Sequence, residues 1–158
     1  MTFNFLRIFL RGIPLLAALV PVPSTAFALT LPNVIGNNMV LQREQAVPIW
    51  GLAAPGEKVT VEFAGQKKTA KPDSTGRWEV RLSKLSASAL PASMKISGAT
   101  TITLTNILVG EVWLCSGQSN MEKPIGLQPG QKPVPNFEAE LATGDSHPNI
   151  RLFKAAKT

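Results

Sequence analysis

The sequence predicts a small antiparallel β-sandwich over residues 29–108, followed from residue 109 by the opening of an α/β layer. Three observations carry that prediction. Between residues 29 and 108, apolar residues recur at every second position in short runs separated by Gly, Pro and Asp turns, which is the pattern of half-buried strands. No helical period of any length interrupts them. After Gly110 the pattern changes: residues 112–115, "VWLC", are apolar at four consecutive positions, as expected of a strand covered on both faces.

Residues 1–28 stand apart from this scheme. Arg7 and Arg11 form a basic head, an apolar stretch runs from Ile13 to Val22, and "STAFA" places small residues at Ala26 and Ala28. That order predicts a secretory signal cleaved after Ala28, and hence a secreted or periplasmic protein. A membrane anchor is disfavoured, because a span needs about 20 apolar residues and Pro14, Pro21 and Pro23 interrupt this one. Signal cleavage would leave no stable membrane span. It would also remove two of the 16 basic residues, leaving 14 against 10 acidic ones. These are scattered, with "QKKTAK" the densest group. A solvated turn explains that group better than a phosphate-binding stripe, and no nucleic-acid partner is expected.

The predicted strands follow in order. "NNMVLQ" and "AVPIWG" are short alternating runs. In "APGEKVTVEFAG", Val59, Val61 and Phe63 face one way and Lys58, Thr60 and Glu62 the other, with Pro55-Gly56 before the strand and Gly65 after it. "PDSTGRWEVRLS" places a turn at residues 73–76, then Trp78, Val80 and Leu82 on one face and Arg77, Glu79 and Arg81 on the other. "TTITLTNILVG" sets Ile102 and Leu104 opposite Thr101, Thr103 and Thr105. Trp78 is expected in the core. Trp50 is out of phase with Val47 and Ile49, which leaves sugar stacking open for it.

Beyond residue 108 the expectation is one βαβ unit: the strand "VWLC", a Pro- and Gly-rich loop, a short helix "NFEAELATG" with Asn136 as N-cap and Gly144 as terminator, and a strand "NIRLFK". One such unit cannot cover both faces of its own sheet. The chain therefore reads as the front part of a longer protein, with residues 109–158 an incomplete domain. Cys115, the only cysteine, is expected to be a small buried hydrophobe rather than a reactive thiol.

The turn after "VWLC" carries two serines, Ser116 and Ser119. A rigid strand end that lifts a hydroxyl above a sheet suits nucleophilic catalysis, with backbone N–H groups nearby for an oxyanion. Spacing favours Ser119 in G-Q-S-N, although Met121 stands where the elbow pattern G-x-S-x-G wants its last glycine. On that pattern alone, a polar turn remains the commoner reading. Glu111 and Glu122 flank the turn, with solvated or backbone-bonded roles favoured over an orienting one.

"GEVWLCSGQSNM" resembles the signature of the sialate O-acetylesterase family, secreted esterases within the SGNH-type hydrolases. "NMVLQREQAVPIWGLAAPGEKVTVEF", "TGRWEVRL" and "ITLTNILVGEVW" resemble that family's N-terminal β-domain, and "HPNIRLFK" the segment after its first helix. The resemblance implies a truncated SGNH-hydrolase-like α/β domain after the β-sandwich. It implies Ser119 as the acyl-accepting nucleophile, with its own backbone N–H in the oxyanion hole. It also implies an acetylated carbohydrate as substrate, and no metal or organic cofactor. The family's base is a histidine close to an aspartate far downstream. His147, the one histidine here, follows Asp145 by two residues and does not match that Asp-x-x-His spacing, so a surface turn is expected for it. The 158 residues alone are therefore expected to be nearly inactive. The alternative is a non-catalytic carbohydrate-binding or scaffold β-sandwich module.

Overall fold

The computed structural model describes residues 28–144 and 146–155. The expected signal, up to Phe27, lies outside the described residues, as does Asp145. Seven strands form: β1 (Val40–Gln42), β2 (Val47–Leu52), β3 (Val59–Phe63), β4 (Gln66–Ala70), β5 (Arg77–Leu82), β6 (Ser88–Ser97) and β7 (Thr101–Gly110). They are followed by a 3-10 turn (Ser119–Glu122) and one helix, α1 (Phe137–Gly144). Five strands build a sheet in the order β1-β7-β6-β3-β4, and β2 pairs with β5 in a second, two-stranded sheet. The described chain is thus mostly β-sheet with one α-helix.

Both sheets feed one hydrophobic core. Val59, Val61 and Phe63 of β3, Met94 and Ile96 of β6, and Leu104 and Ile107 of β7 meet Ile49 of β2 and Trp78, Val80 and Leu82 of β5. The alternation read in β3 and β5 is realised residue by residue. The turn at residues 73–76 forms as expected. Asp73 Oδ1 accepts hydrogen bonds from the Thr75 N–H at 2.8 Å, the Thr75 hydroxyl at 2.7 Å and the Arg77 N–H at 3.1 Å, and Gly76 adopts a left-handed φ of 81°.

β7 changes phase midway. Met94 of β6 faces Leu104 and Ala92 faces Ile107, so β7 holds one more residue than β6 across this stretch. Asn106 sits in that bulge with φ 57°, a conformation asparagine tolerates better than a branched residue. Beyond it Ile107, Leu108 and Val109 are all buried.

Several expectations need correction. "QKKTAK" is not a turn: residues 66–70 form β4, the edge strand, pairing antiparallel with β3. Lys67 and Lys68 on an exposed edge discourage pairing with another chain. β6 had no counterpart among the predicted strands. The sheet is not purely antiparallel, because β1 runs parallel to β7, Val40 opposite Leu108 and Gln42 opposite Gly110.

The βαβ unit is represented only by its helix. Residues 111–117 and 151–155 form no strand. β7 already lies between β1 and β6, and "VWLC" pairs with none of the described strands. Its side chains are consequently exposed, Trp113 at 82% and Leu114 at 95%. Cys115 is exposed as well, contrary to its expected burial. Asn136 precedes α1 with φ 59° rather than the extended backbone of an N-cap, and α1 buries no residue. Among the described residues no helix is long and apolar enough to cross a membrane.

Candidate functional site

β7 ends at Gly110, and the next nine residues lead to Ser119. The start of that segment is fastened to the end of β1 by two side chains. Gln42 uses both ends of its amide: its Nε2 donates to Glu111 Oε2 at 2.8 Å, and its Oε1 accepts the Val112 N–H at 2.8 Å. Arg43 pairs through Nε with Glu111 Oε1 at 2.6 Å, and the Arg43 N–H donates to the Gly110 carbonyl at 2.9 Å. The backbone leaving the sheet is therefore held at consecutive residues. The hydrogen bond from Gln42, then Arg43, holds the Glu111 carboxyl below its ordinary value of 4.5.

Two outcomes follow from this clamp. Gln42→Ala removes the acceptor of the Val112 N–H. Hydrogen exchange at that amide should quicken roughly 2- to 10-fold, the factor that a bond worth about 0.5–1.5 kcal/mol implies. Residues 59–63 should keep their protection. The second outcome concerns pH. A carboxylate with a lowered folded value favours the clamped state above its ordinary value, and that contribution is lost as pH falls through the lowered one. The Val112 amide resonance should accordingly shift with a midpoint below 4.5. A midpoint at or above 4.5 would show that the Glu111 contacts do not persist in solution.

Ser119 opens the 3-10 turn and is exposed. The turn closes through Met121 N–H to the Gln118 carbonyl at 2.9 Å and Lys123 N–H to the Asn120 carbonyl at 3.3 Å. Gly117 lies under the Met121 side chain: a Cβ there would stand 2.9 Å from Met121 Cγ. Any other residue at 117 would push against that side chain. As the first residue of a helical turn, Ser119 has a backbone N–H with no acceptor inside the turn. Its hydroxyl makes no hydrogen bond among the described residues, and neither does that of Ser116.

His147 is exposed in the turn after α1, where its N–H approaches the Gly144 carbonyl at 3.4 Å and its carbonyl accepts the Ile150 N–H at 3.0 Å. No hydrogen bond joins it to Ser119, in keeping with a surface turn. Ser119 thus has an accessible hydroxyl and a free backbone donor, without a base in contact among the described residues. Also among those residues, no group of three or more His, Cys, Asp or Glu side chains could hold a metal ion.

A second tether was not foreseen. Arg151 reaches back to the β1–β7 edge. Its Nη2 donates to Asn106 Oδ1 at 3.0 Å, and Nη1 donates to the Asn106 carbonyl and lies 3.4 Å from the Met39 carbonyl. Asn106 in turn donates to Asn38 Oδ1 at 2.7 Å. Clamp and tether therefore attach at opposite ends of β1. Neither leaves a local sign in the sequence, because their partners lie 69 and 45 residues apart.

No protein-family model matches the chain. It is 30% identical to the sialate O-acetylesterase of Mus musculus over 144 residues, 84% of this chain and 26% of that protein. It is 31% identical to the Homo sapiens sialate O-acetylesterase with the same coverage, and 33% identical over 135 residues to that of Rattus norvegicus. Among solved structures it resembles a carbohydrate acetylesterase from Xanthomonas citri, with TM-score 0.59 and 38% identity, covering 62% of this chain and 22% of that one. The chain thus spans about a quarter of the length of the curated relatives it matches.

Proposed function

We propose that this chain, a homologue of the sialate O-acetylesterases over most of its length, contributes the nucleophile and the accompanying β-domain of a carbohydrate O-acetylesterase. The observation that carries the reading is the agreement of four named esterases and one carbohydrate acetylesterase structure on the same chemistry. Exposure of Ser119 at the start of a turn supports it.

In this reading, Ser119 Oγ attacks the acetyl carbonyl while a base takes the hydroxyl proton. The developing oxyanion lies against the Ser119 backbone N–H. The sugar hydroxyl leaves with a proton, giving acetyl-Ser119, and water then releases acetate and restores the serine. The base comes from polypeptide outside these 158 residues.

The domain reading follows the same line. Residues 29–108 form a β-sandwich domain, and residues 109–158 begin an SGNH-type α/β domain. Residues 112–115 become a covered strand once partner strands flank them; exposed apolar side chains at Val112, Trp113 and Leu114 are consistent with such a cover. Residues 1–28 direct export, so the enzyme works outside the cytoplasm on acetylated glycans. The test is an aryl-acetate assay. The 158 residues alone should turn over ester no faster than buffer, because a serine without a base is a poor nucleophile at neutral pH. Substantial turnover by this chain alone would show that a base lies within it and would overturn the assignment of His147 to a surface turn.

A further inference from the structure

The outer face of the β2–β5 sheet carries chemistry that the serine turn does not use. Pro48, Trp50 and Leu52 face outward along β2, and Arg77 and Glu79 do so along β5. Trp50 lies directly opposite Glu79, and Leu52 opposite Arg77. Trp50 is 40% exposed, whereas Trp78 on the inner face of the same sheet is 3% exposed. Thr30 pairs with Leu52 through two hydrogen bonds, of 2.9 and 3.0 Å, so the segment at residues 30–32 forms a wall beside β2. Asp73 also lines this open groove, which measures about 720 Å³.

A second feature lies beside the groove. Trp78 also lines the groove, yet its Nε1–H is buried with no acceptor among the described residues. Buried donors without partners are uncommon. The indole edge that carries this nitrogen lies against Gly51, where a Cβ would stand 3.0 Å from Trp78 Cζ2 and 3.2 Å from Cε2. A Cβ at Gly51 would also collide with the Thr30 carbonyl oxygen, so the Thr30 backbone packs beside the indole there.

We propose that this groove is a glycan-binding site that holds one pyranose ring stacked on Trp50, with its hydroxyls bonded to Arg77 and Glu79. A pyranose has an apolar C–H face bordered by hydroxyls. The groove offers the complement, with an apolar floor of Trp50 and Leu52 and planar donors and acceptors along the neighbouring strand. Arg77 supplies donors only; Glu79 supplies acceptors only and is paired through Oε1 with Arg81 Nη2 at 2.9 Å, which leaves Oε2 for a neighbouring hydroxyl. A polyphosphate is disfavoured, because Asp73 and Glu79 would face it. A peptide adding to the sheet is disfavoured too, because Thr30 already occupies the β2 backbone at Leu52.

The site stands independently of Ser119. Its test is calorimetric titration of the 158-residue chain with xylohexaose and, separately, 3′-sialyllactose, with tryptophan fluorescence as a second signal. At least one of the two should bind saturably. Trp50→Ala should weaken that binding roughly 10-fold or more, and Arg77→Ala several-fold; circular dichroism reports whether each variant is folded. Ser119→Ala should bind as the parent does, so failure of the esterase reading leaves this result unchanged. Absence of binding to both sugars by the folded chain would overturn the proposal. So would undiminished binding by whichever of the Trp50 and Arg77 variants is folded.

Discussion

Replacing Ser119 by alanine is expected to abolish ester cleavage in any preparation of this protein that hydrolyses aryl acetates. Removing a nucleophile from a serine acyl-transfer site costs about 10³-fold or more in kcat, leaving only what the oxyanion donors and binding contribute. Ser119 is exposed and contributes nothing to the core, so the variant should fold as the parent does. Ser116→Ala is the matched control, three residues away on the same exposed segment, and should retain most of the activity. If the two variants exchanged behaviours, the nucleophile would be Ser116 and the resemblance would be misaligned by one turn. Equal losses in both would instead point to the segment as a structural unit.

The largest effect on stability is expected at Ile96. It is fully buried on β6, the strand between β7 and β3, and stands opposite Val61 on one side and Ile102 on the other. Ile96→Ala removes three carbons where both neighbours are held in register by the sheet, so the gap cannot close easily. Such truncations cost about 2–5 kcal/mol, a large share of the stability of a small domain. Urea unfolding followed by tryptophan fluorescence should show a much lower midpoint with little change in slope. Leu90→Ala on the same strand, where the side chain is 79% exposed, should be nearly neutral. A loss of similar size there would mean that the exposed half of β6 is covered in solution.

How much of this was legible in the sequence depended on local pattern. β3 and β5 were readable because Val59, Val61 and Phe63, and Trp78, Val80 and Leu82, keep strict alternation between clear turn residues. β7 was readable only as far as Leu104, since Asn106 inserts a residue and shifts the phase beyond it. β4 offered no apolar face: an edge strand needs only backbone pairing, and Lys67 and Lys68 look like a solvated turn. β6 was hidden by Pro91 and small residues until Met94. The parallel pairing of β1 with β7 is a tertiary choice with no local sign. The same holds at the site. Ser119 stood out through resemblance to known esterases more than through its own spacing, while the Gln42–Arg43 clamp on Glu111 joins residues too distant for any local period to reveal. "VWLC" shows the limit from the other side. Its composition fits a covered strand, but pairing requires neighbours, and it pairs with none of the described strands.

The most direct measurement of the central assignment is peptide-resolved mass spectrometry of an ester-hydrolysing preparation after reaction with a fluorophosphonate. The expected result is a single phosphonyl adduct on Ser119, appearing at the rate at which esterase activity disappears and absent from Ser119→Ala. Complete loss of activity with Ser119 unmodified, or with the adduct on Ser116, would contradict the account.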